Sequence, residues 1–325
     1  YFFAGKIRRV GAEKNIYSFA EFLNKAYLRN HKLSTFPRSF ASIVSGINIL
    51  IFFFLTAAQF VGMATLLHYA FDVGYYYAAG ISFLIVILYT ALAGLSGVII
   101  TDFIQFIVIC FMIIFIFMPG VWAETESFSR LSELPKSFLN GTHEGWIFLI
   151  GLPLLLSPSV LTRMDIWQRT LAARNEKTAK RTAIISGISM LPFYIIFPLV
   201  GMTIKLSFGD GIDPNAATHT FLENNTEQVL LGFAIIGLLA ALMSSADSFL
   251  NIVAITAIRD FSSYKKKTAS KETHFKRIRI AVVVFGAMAL GMALYFSDIV
   301  ELFIAGITLN ILFAPVCLLA LIKKD

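Results

Sequence analysis

The stretch LLAALMSSADSFL, residues 238–250, places three serines and an aspartate in the middle of a long apolar run. Taken as a helix, four small residues spaced at 0, +3, +4 and +7 share one face: Ala241, Ser244, Ser245 and Ser248. Two hydroxyls and the backbone carbonyl of a small residue suit a hard cation, which binds several oxygen ligands. Close packing of small residues between helices is the alternative. Packing would explain the serines but not the aspartate at position 247.

The composition around this stretch is that of a membrane protein. Of 325 residues, 57% are hydrophobic and 14% charged, and 32 are phenylalanines. The mean hydropathy is +0.76, far above that of soluble globular chains. Cys110 and Cys317 both lie in apolar runs, which excludes a disulfide framework and a CxxC metal site.

Runs of about 18 or more mainly apolar residues indicate membrane-spanning helices. The sequence contains eight such runs, over 40–70, 75–94, 98–119, 146–164, 182–205, 228–257, 280–297 and 301–322. Two of them, 40–70 and 228–257, approach 30 residues, so we expect long, tilted helices there.

The basic residues are sorted by topology. All but three of the 27 lysines and arginines lie in the opening segment, in alternate connections and at the end. By the positive-inside rule these regions are cytoplasmic. A nucleic-acid surface would need one basic face, so we expect no nucleic-acid partner. Residues 1–36 are predicted to form a cytoplasmic amphipathic segment, followed by a single transmembrane domain over 37–325.

A second charge lies inside the apolar region, in GLSGVIITDFIQFIV, where Asp102 follows the start of the span 98–119. A charge near the bilayer centre costs about 2.5–3.5 kcal/mol, so such residues are functional candidates. The functional interpretation is a carboxylate that faces a cation path. The alternative is an aspartate in the first helical turn, stabilised by the helix dipole.

The span 146–164 contains Gly151, Pro153 and Pro158, which favour an interrupted helix because each proline removes a backbone hydrogen bond. Transporters build sites from interrupted helices. Ser157 and Ser159 flank the second proline. A kinked helix, satisfied by its neighbours, is the alternative.

Three blocks carry a resemblance to a known family: AGLSGVIITDFIQ (93–105), MDIWQRTLAARNEKTA (164–179) and LLAALMSSADSFLNIVAITAIRD (238–260). Together, in this order, the chain resembles the sodium/solute symporters, which include sodium/proline, sodium/galactose and choline transporters. The resemblance implies an all-α, five-plus-five inverted-repeat membrane fold. It identifies 40–70, 146–164 and 228–257 with core helices three, six and eight, and places core helices one and two before Tyr1, outside this chain.

The same resemblance implies the binding residues. The main sodium site would use the carbonyl of Ala241 with the hydroxyls of Ser244 and Ser245. A possible second sodium site would use Asp102, Ser244 and Ser248; Asp247 joins these candidates at a position where other members often carry Ser or Thr. The matched substrate residues would be Gln59 and Arg163, and Ser157, beside the second proline, is a further substrate candidate.

A guanidinium at position 163 would favour a carboxylate, hence an amino acid or monocarboxylate rather than a sugar. The alternative for Arg163 is a side chain that extends to the cytoplasmic interface.

These features predict a sodium-coupled symporter that imports a small organic solute by alternating access, as a multi-pass protein of the plasma membrane. Its partners would be sodium, the solute and the lipid bilayer, with no cofactor besides the coupling ion. No oligomeric state follows from the sequence. The alternative function is the symporter-like membrane input domain of a sensor histidine kinase. An enzyme is not expected, because neither a G-x-S-x-G nor an H-E-x-x-H motif occurs.

Overall fold

The computed structural model describes residues 2–16, 18–28, 36–209, 211–262 and 271–322. Within these ranges the chain is helical, with connecting turns and no strand. The helices are α1 (Ala4–Glu13), α2 (Phe19–Leu28), α3 (Phe36–Phe71), α4 (Tyr75–Met112), α5 (Met118–Glu124), α6 (Lys136–Leu139), α7 (Trp146–Thr162), α8 (Met164–Ala172), α9 (Glu176–Phe208), α10 (Ala217–Asn225), α11 (Gln228–Ser262), α12 (Lys271–Tyr295), α13 (Ile299–Ile311) and α14 (Ala314–Ile322). A π-helical stretch, Ile113–Phe117, joins α4 to α5, and a 3₁₀ turn covers Ser129–Glu133.

The described residues contain seven helical stretches long and apolar enough to cross a membrane, or eight if the bent pair α7 and α8 is one span. These stretches match the eight runs predicted from the sequence, and the all-α membrane fold is confirmed. The last predicted run, 301–322, comprises both α13 and α14.

The two longest predicted spans form the centre of the fold. α3 has 36 residues and α11 has 35, which corresponds to lengths of about 54 and 52 Å at 1.5 Å per residue. Among the described elements, these two helices make the most extensive contact. Ala57 and Ala58 of α3 are buried in the same cluster as Ala246 and Ala254 of α11, and such small residues let helices approach closely.

The helix α4 carries two of the predicted spans, Tyr75–Leu92 and Val98–Glu124. The second part runs antiparallel to α11, as two contacts show: Asp102 with Ser244, and Met112 against Gly237. In the first part, the Tyr89 hydroxyl lies 3.0 Å from the carbonyl oxygen of Met243. In the second part, Asp102 accepts a hydrogen bond from Ser244. Both parts of α4 therefore contact the same stretch of α11.

The interruption predicted at the prolines lies elsewhere. α7 continues through Pro153 and Pro158 to Thr162, and the break falls at Arg163, whose backbone is extended. α8 then leaves at 55° to α7. The prediction that the prolines interrupt the helix was therefore wrong, since each proline removes only one backbone donor and the helix tolerates both.

Side chains explain why the break occurs after Thr162. The Thr162 hydroxyl and the Asn310 amide both donate to the carbonyl of Ser159, each at 2.9 Å. The indole N–H of Trp167 donates to the carbonyl of Leu161 at 2.6 Å. These carbonyls would lose their backbone partners where the helix ends, and the side chains replace them.

The opening segment packs against the ends of the later helices. Phe19 and Phe22 of α2 contact the ring of Trp167 in α8, with centroids 5.4 and 4.7 Å apart. Arg9 of α1 forms a two-point ion pair with Glu176 at the start of α9, at 2.6 and 2.7 Å. The apolar side of this segment therefore belongs to a protein core. Its cytoplasmic location remains a prediction.

Candidate cation site between α4 and α11

The serine-rich face of α11 meets the carboxylate of α4. The Ser244 hydroxyl donates to Asp102 Oδ1 at 2.6 Å. The short, polar side chain of Ser244 allows this contact between two otherwise apolar helices, and the Asp102 side chain is 24% exposed. Asp102 and Ser244, proposed as partners from the sequence, are thus in direct contact.

Asp102 and Ser248 border a recess of about 130 Å³ on the side of α8. Arg169 of α8 reaches over it, with Nη2 at 3.5 Å from Asp102 Oδ2 and 3.4 Å from the Ser248 hydroxyl. Arg169 lies in the family block 164–179 and was not among the site residues predicted from the sequence. Its position in the block MDIWQR, next to Gln168, was the available signal.

Asp247 lies on a neighbouring face of α11, where its side chain is fully buried. Its Oδ2 accepts a hydrogen bond from the Tyr89 hydroxyl at 2.8 Å, and that hydroxyl also lies 3.0 Å from the carbonyl of Met243. Its Oδ1 has no hydrogen-bond partner in the described part of the chain. One turn further on, the amide nitrogen of Asn251 is also buried without a described partner. The structure therefore pairs Asp247 with Tyr89, a residue that no sequence motif indicated.

The remaining members of the predicted main sodium site are half-buried on α11. The Ser245 hydroxyl makes no hydrogen bond within the described ranges. Ala241 packs at the edge of the cluster around Met112. Both positions keep the helical spacing to Ser244 that the sequence predicted, so an oxygen-bearing face is present.

The three predicted substrate residues lie on separate elements, and no hydrogen bond joins them among the described residues. Gln59 is half-buried on α3, whereas Ser157 is exposed on α7. Arg163 forms two hydrogen bonds with Asp165, at 3.1 and 2.7 Å. Its guanidinium carbon also lies 5.9 Å from the centre of the Phe249 ring.

The formal charge of the cluster is negative. Asp102 and Asp247 contribute two negative charges and Arg169 one positive charge, while Arg163 and Asp165 neutralise each other. Hydroxyl and carboxylate oxygens suit a hard cation, because hard cations take oxygen ligands.

The long apolar helices define a multi-pass protein of the plasma membrane. The chain belongs to the sodium:solute symporter family, whose family model matches residues 1–324.

The chain resembles two bacterial proline transporters. The osmoregulated proline transporter OpuE of Bacillus subtilis (strain 168) is 25% identical over 271 residues, which are 79% of this chain and 54% of that protein. The sodium/proline symporter of Staphylococcus aureus (strain Newman) is 25% identical over 281 residues, which are 77% and 51% of the two chains. The chain therefore spans about half the length of these curated relatives.

A solved structure shares the fold. It is the substrate-bound, outward-open state of a Na⁺-coupled sialic acid symporter, with a TM-score of 0.69 and 19% identity, over 94% of this chain and 71% of that one. The inverted-repeat transporter fold implied by the sequence motifs is thus confirmed.

Proposed function

We propose that the protein imports a small organic solute together with sodium, by alternating access. The observation that carries this proposal is the contact between Ser244 and Asp102, at 2.6 Å within a bundle of membrane-spanning helices. Membership of a family of sodium:solute symporters supports it. The family and the related proteins are transporters, and they give no support to the sensor-kinase alternative.

The main sodium site consists of the Ala241 carbonyl and the hydroxyls of Ser244 and Ser245. The Ser245 hydroxyl is half-buried and has no hydrogen-bond partner in the described part of the chain. A half-buried hydroxyl without a partner loses part of its interaction with water, which an ion at this position restores.

The second sodium site is formed by Asp102, Ser244 and Ser248, with Asp247 on the adjacent face. Asp247 would contribute through its charge and its unpartnered Oδ1, because its Oδ2 is held by Tyr89. A sodium ion entering with the membrane potential gains about 2.3 kcal/mol per 100 mV, which can drive the accumulation of solute.

For the solute we propose an amino acid or another carboxylate, in contact with Gln59, Ser157 and Arg163. The related proteins transport proline, and the structural neighbour transports sialic acid. In this structure Arg163 is paired with Asp165. A substrate carboxylate would therefore replace Asp165 as the partner of the guanidinium.

Sodium-dependent uptake in proteoliposomes tests the main site. Loss of one hydroxyl ligand costs about 1 kcal/mol, so the double variant Ser244→Ala/Ser245→Ala should raise the half-saturating sodium concentration by roughly 30-fold. Ser82→Ala is the matched control, because the Ser82 hydroxyl bonds only within α4, to the carbonyl of Ala78. An unchanged sodium dependence in the double variant would refute the assignment.

Competition experiments test the solute class. Uptake should be inhibited by amino acids or organic anions and not by neutral sugars. Inhibition by sugars, with no effect of anions, would reject both the carboxylate class and the role of Arg163.

A further inference from the structure

The helix α8 presents two different faces. Met164, Trp167 and Leu171 pack into the core built with α1 and α2. The opposite side lines the recess next to the second cation site, with Asp165, Gln168, Arg169 and Ala172. The two sets follow helical spacing, so the apolar anchoring of α8 fixes which side chains face Asp102.

Arg169 reaches Asp102 and Ser248 without being buried. Its guanidinium lies 3.5 Å from the Asp102 carboxylate and 3.4 Å from the Ser248 hydroxyl, while its side chain is 65% exposed. Ion pairs of such exposed side chains are weak, because water screens the charges and the long side chain loses freedom. An arriving cation can therefore displace Arg169 easily.

The recess continues from this contact. About 130 Å³ in volume, it is bordered by the polar side chains of Gln168 and Asn251 as well as by Asp102 and Ser248. It is large enough for several water molecules with polar partners. A sodium ion that leaves Asp102 on this side can thus regain its hydration shell.

We propose that Arg169 is the internal counter-ion of Asp102: it takes the place of sodium at Asp102 and Ser248 in the ion-free protein, and the recess is the route by which the ion leaves. This inference rests on the proposed second sodium site. Arg169 is thus a positioning residue that competes with the ion.

The test measures the half-saturating sodium concentration and the maximal rate of uptake in proteoliposomes. Arg169→Gln should lower the half-saturating concentration by about two- to fivefold, as expected for removal of a weak ion pair. Arg169→Lys should restore most of the original value. Arg174→Gln is the control, since Arg174 is an exposed arginine of the same segment and its removal changes the net charge equally.

The variant Asp102→Asn separates this inference from the function on which it rests. With Asp102 replaced, Arg169→Gln should have no additional effect, because no carboxylate remains to be shared. An equal shift in both backgrounds, an equal shift in Arg174→Gln, or no shift at all would overturn the role of Arg169. If Asp102→Asn alone leaves the sodium dependence unchanged, the second sodium site itself is rejected.

Discussion

Replacement of Tyr89 by phenylalanine tests whether Asp247 is held as a buried charge. The tyrosine hydroxyl has one hydrogen, which lies between Asp247 Oδ2 at 2.8 Å and the Met243 carbonyl at 3.0 Å. Its removal takes the Tyr89 donor away from Oδ2 of a fully buried carboxylate. A hydrogen bond to a charged group contributes about 1.5–3 kcal/mol. Tyr89→Phe should therefore lower the free energy of unfolding by about 2–3 kcal/mol.

The assay is equilibrium unfolding in mixed detergent micelles, with Tyr75→Phe as the matched control. The Tyr75 hydroxyl donates to the carbonyl of Ala293 at 3.0 Å, a neutral bond that should contribute about 0.5–1.5 kcal/mol. In the background Asp247→Asn, the effect of Tyr89→Phe should fall to the same range. If Tyr89→Phe costs no more than Tyr75→Phe, or costs the same in both backgrounds, the carboxylate does not depend on the tyrosine and the reasoning fails.

Two further perturbations address other parts of the fold. Trp167→Ala should lower the free energy of unfolding by about 3–5 kcal/mol, as for other fully buried tryptophans. The reason is that the ring fills the core around Phe19. A loss below about 1 kcal/mol in the same unfolding assay would contradict this packing. In the connection between α9 and α10, the backbone N–H of Asn215 and the hydroxyl of Tyr69 lower the pKa of Asp213. The stabilisation by this carboxylate is present above its unfolded pKa and lost as the pH falls through the lower, folded pKa. Tyr69→Phe should therefore raise the pKa of Asp213 toward its usual value. A ¹³C NMR titration of labelled aspartate should detect this shift. An unchanged pKa of Asp213 would show that the Tyr69 hydrogen bond is not populated.

The membrane architecture could be predicted because it depends on the length and apolar character of each span. The contact of Ser244 with Asp102 could be proposed because both are polar residues within apolar spans. Polar side chains at membrane depth are costly, so the few that occur tend to find each other. Helical spacing and family resemblance then indicated the candidate members of the site.

The details that escaped the sequence depend on contacts between distant elements. Nothing in the sequence distinguishes Tyr89 from other tyrosines of apolar spans, and its contact with Asp247 depends on how α4 packs against α11. The break at Arg163, in place of the prolines, is fixed by Asn310 from α13. Neither Tyr89 nor Asn310 could be recognised from the residues around it, because its contact depends on the packing of helices that are far apart in the chain.

Ser244 belongs to both proposed sodium sites, and this sharing has a thermodynamic consequence. A hydroxyl that donates its single hydrogen to Asp102 keeps two lone pairs, which can face an ion held with Ser245. An ion at the main site would polarise the O–H group, so the binding free energy of that ion would depend on whether Asp102 is charged or neutralised. This dependence is reciprocal. If a cation at Asp102 changes the affinity of the main site by some factor, an ion at the main site changes the affinity of Asp102 for its cation by the same factor. One oxygen atom would thus set the cooperativity between two ions.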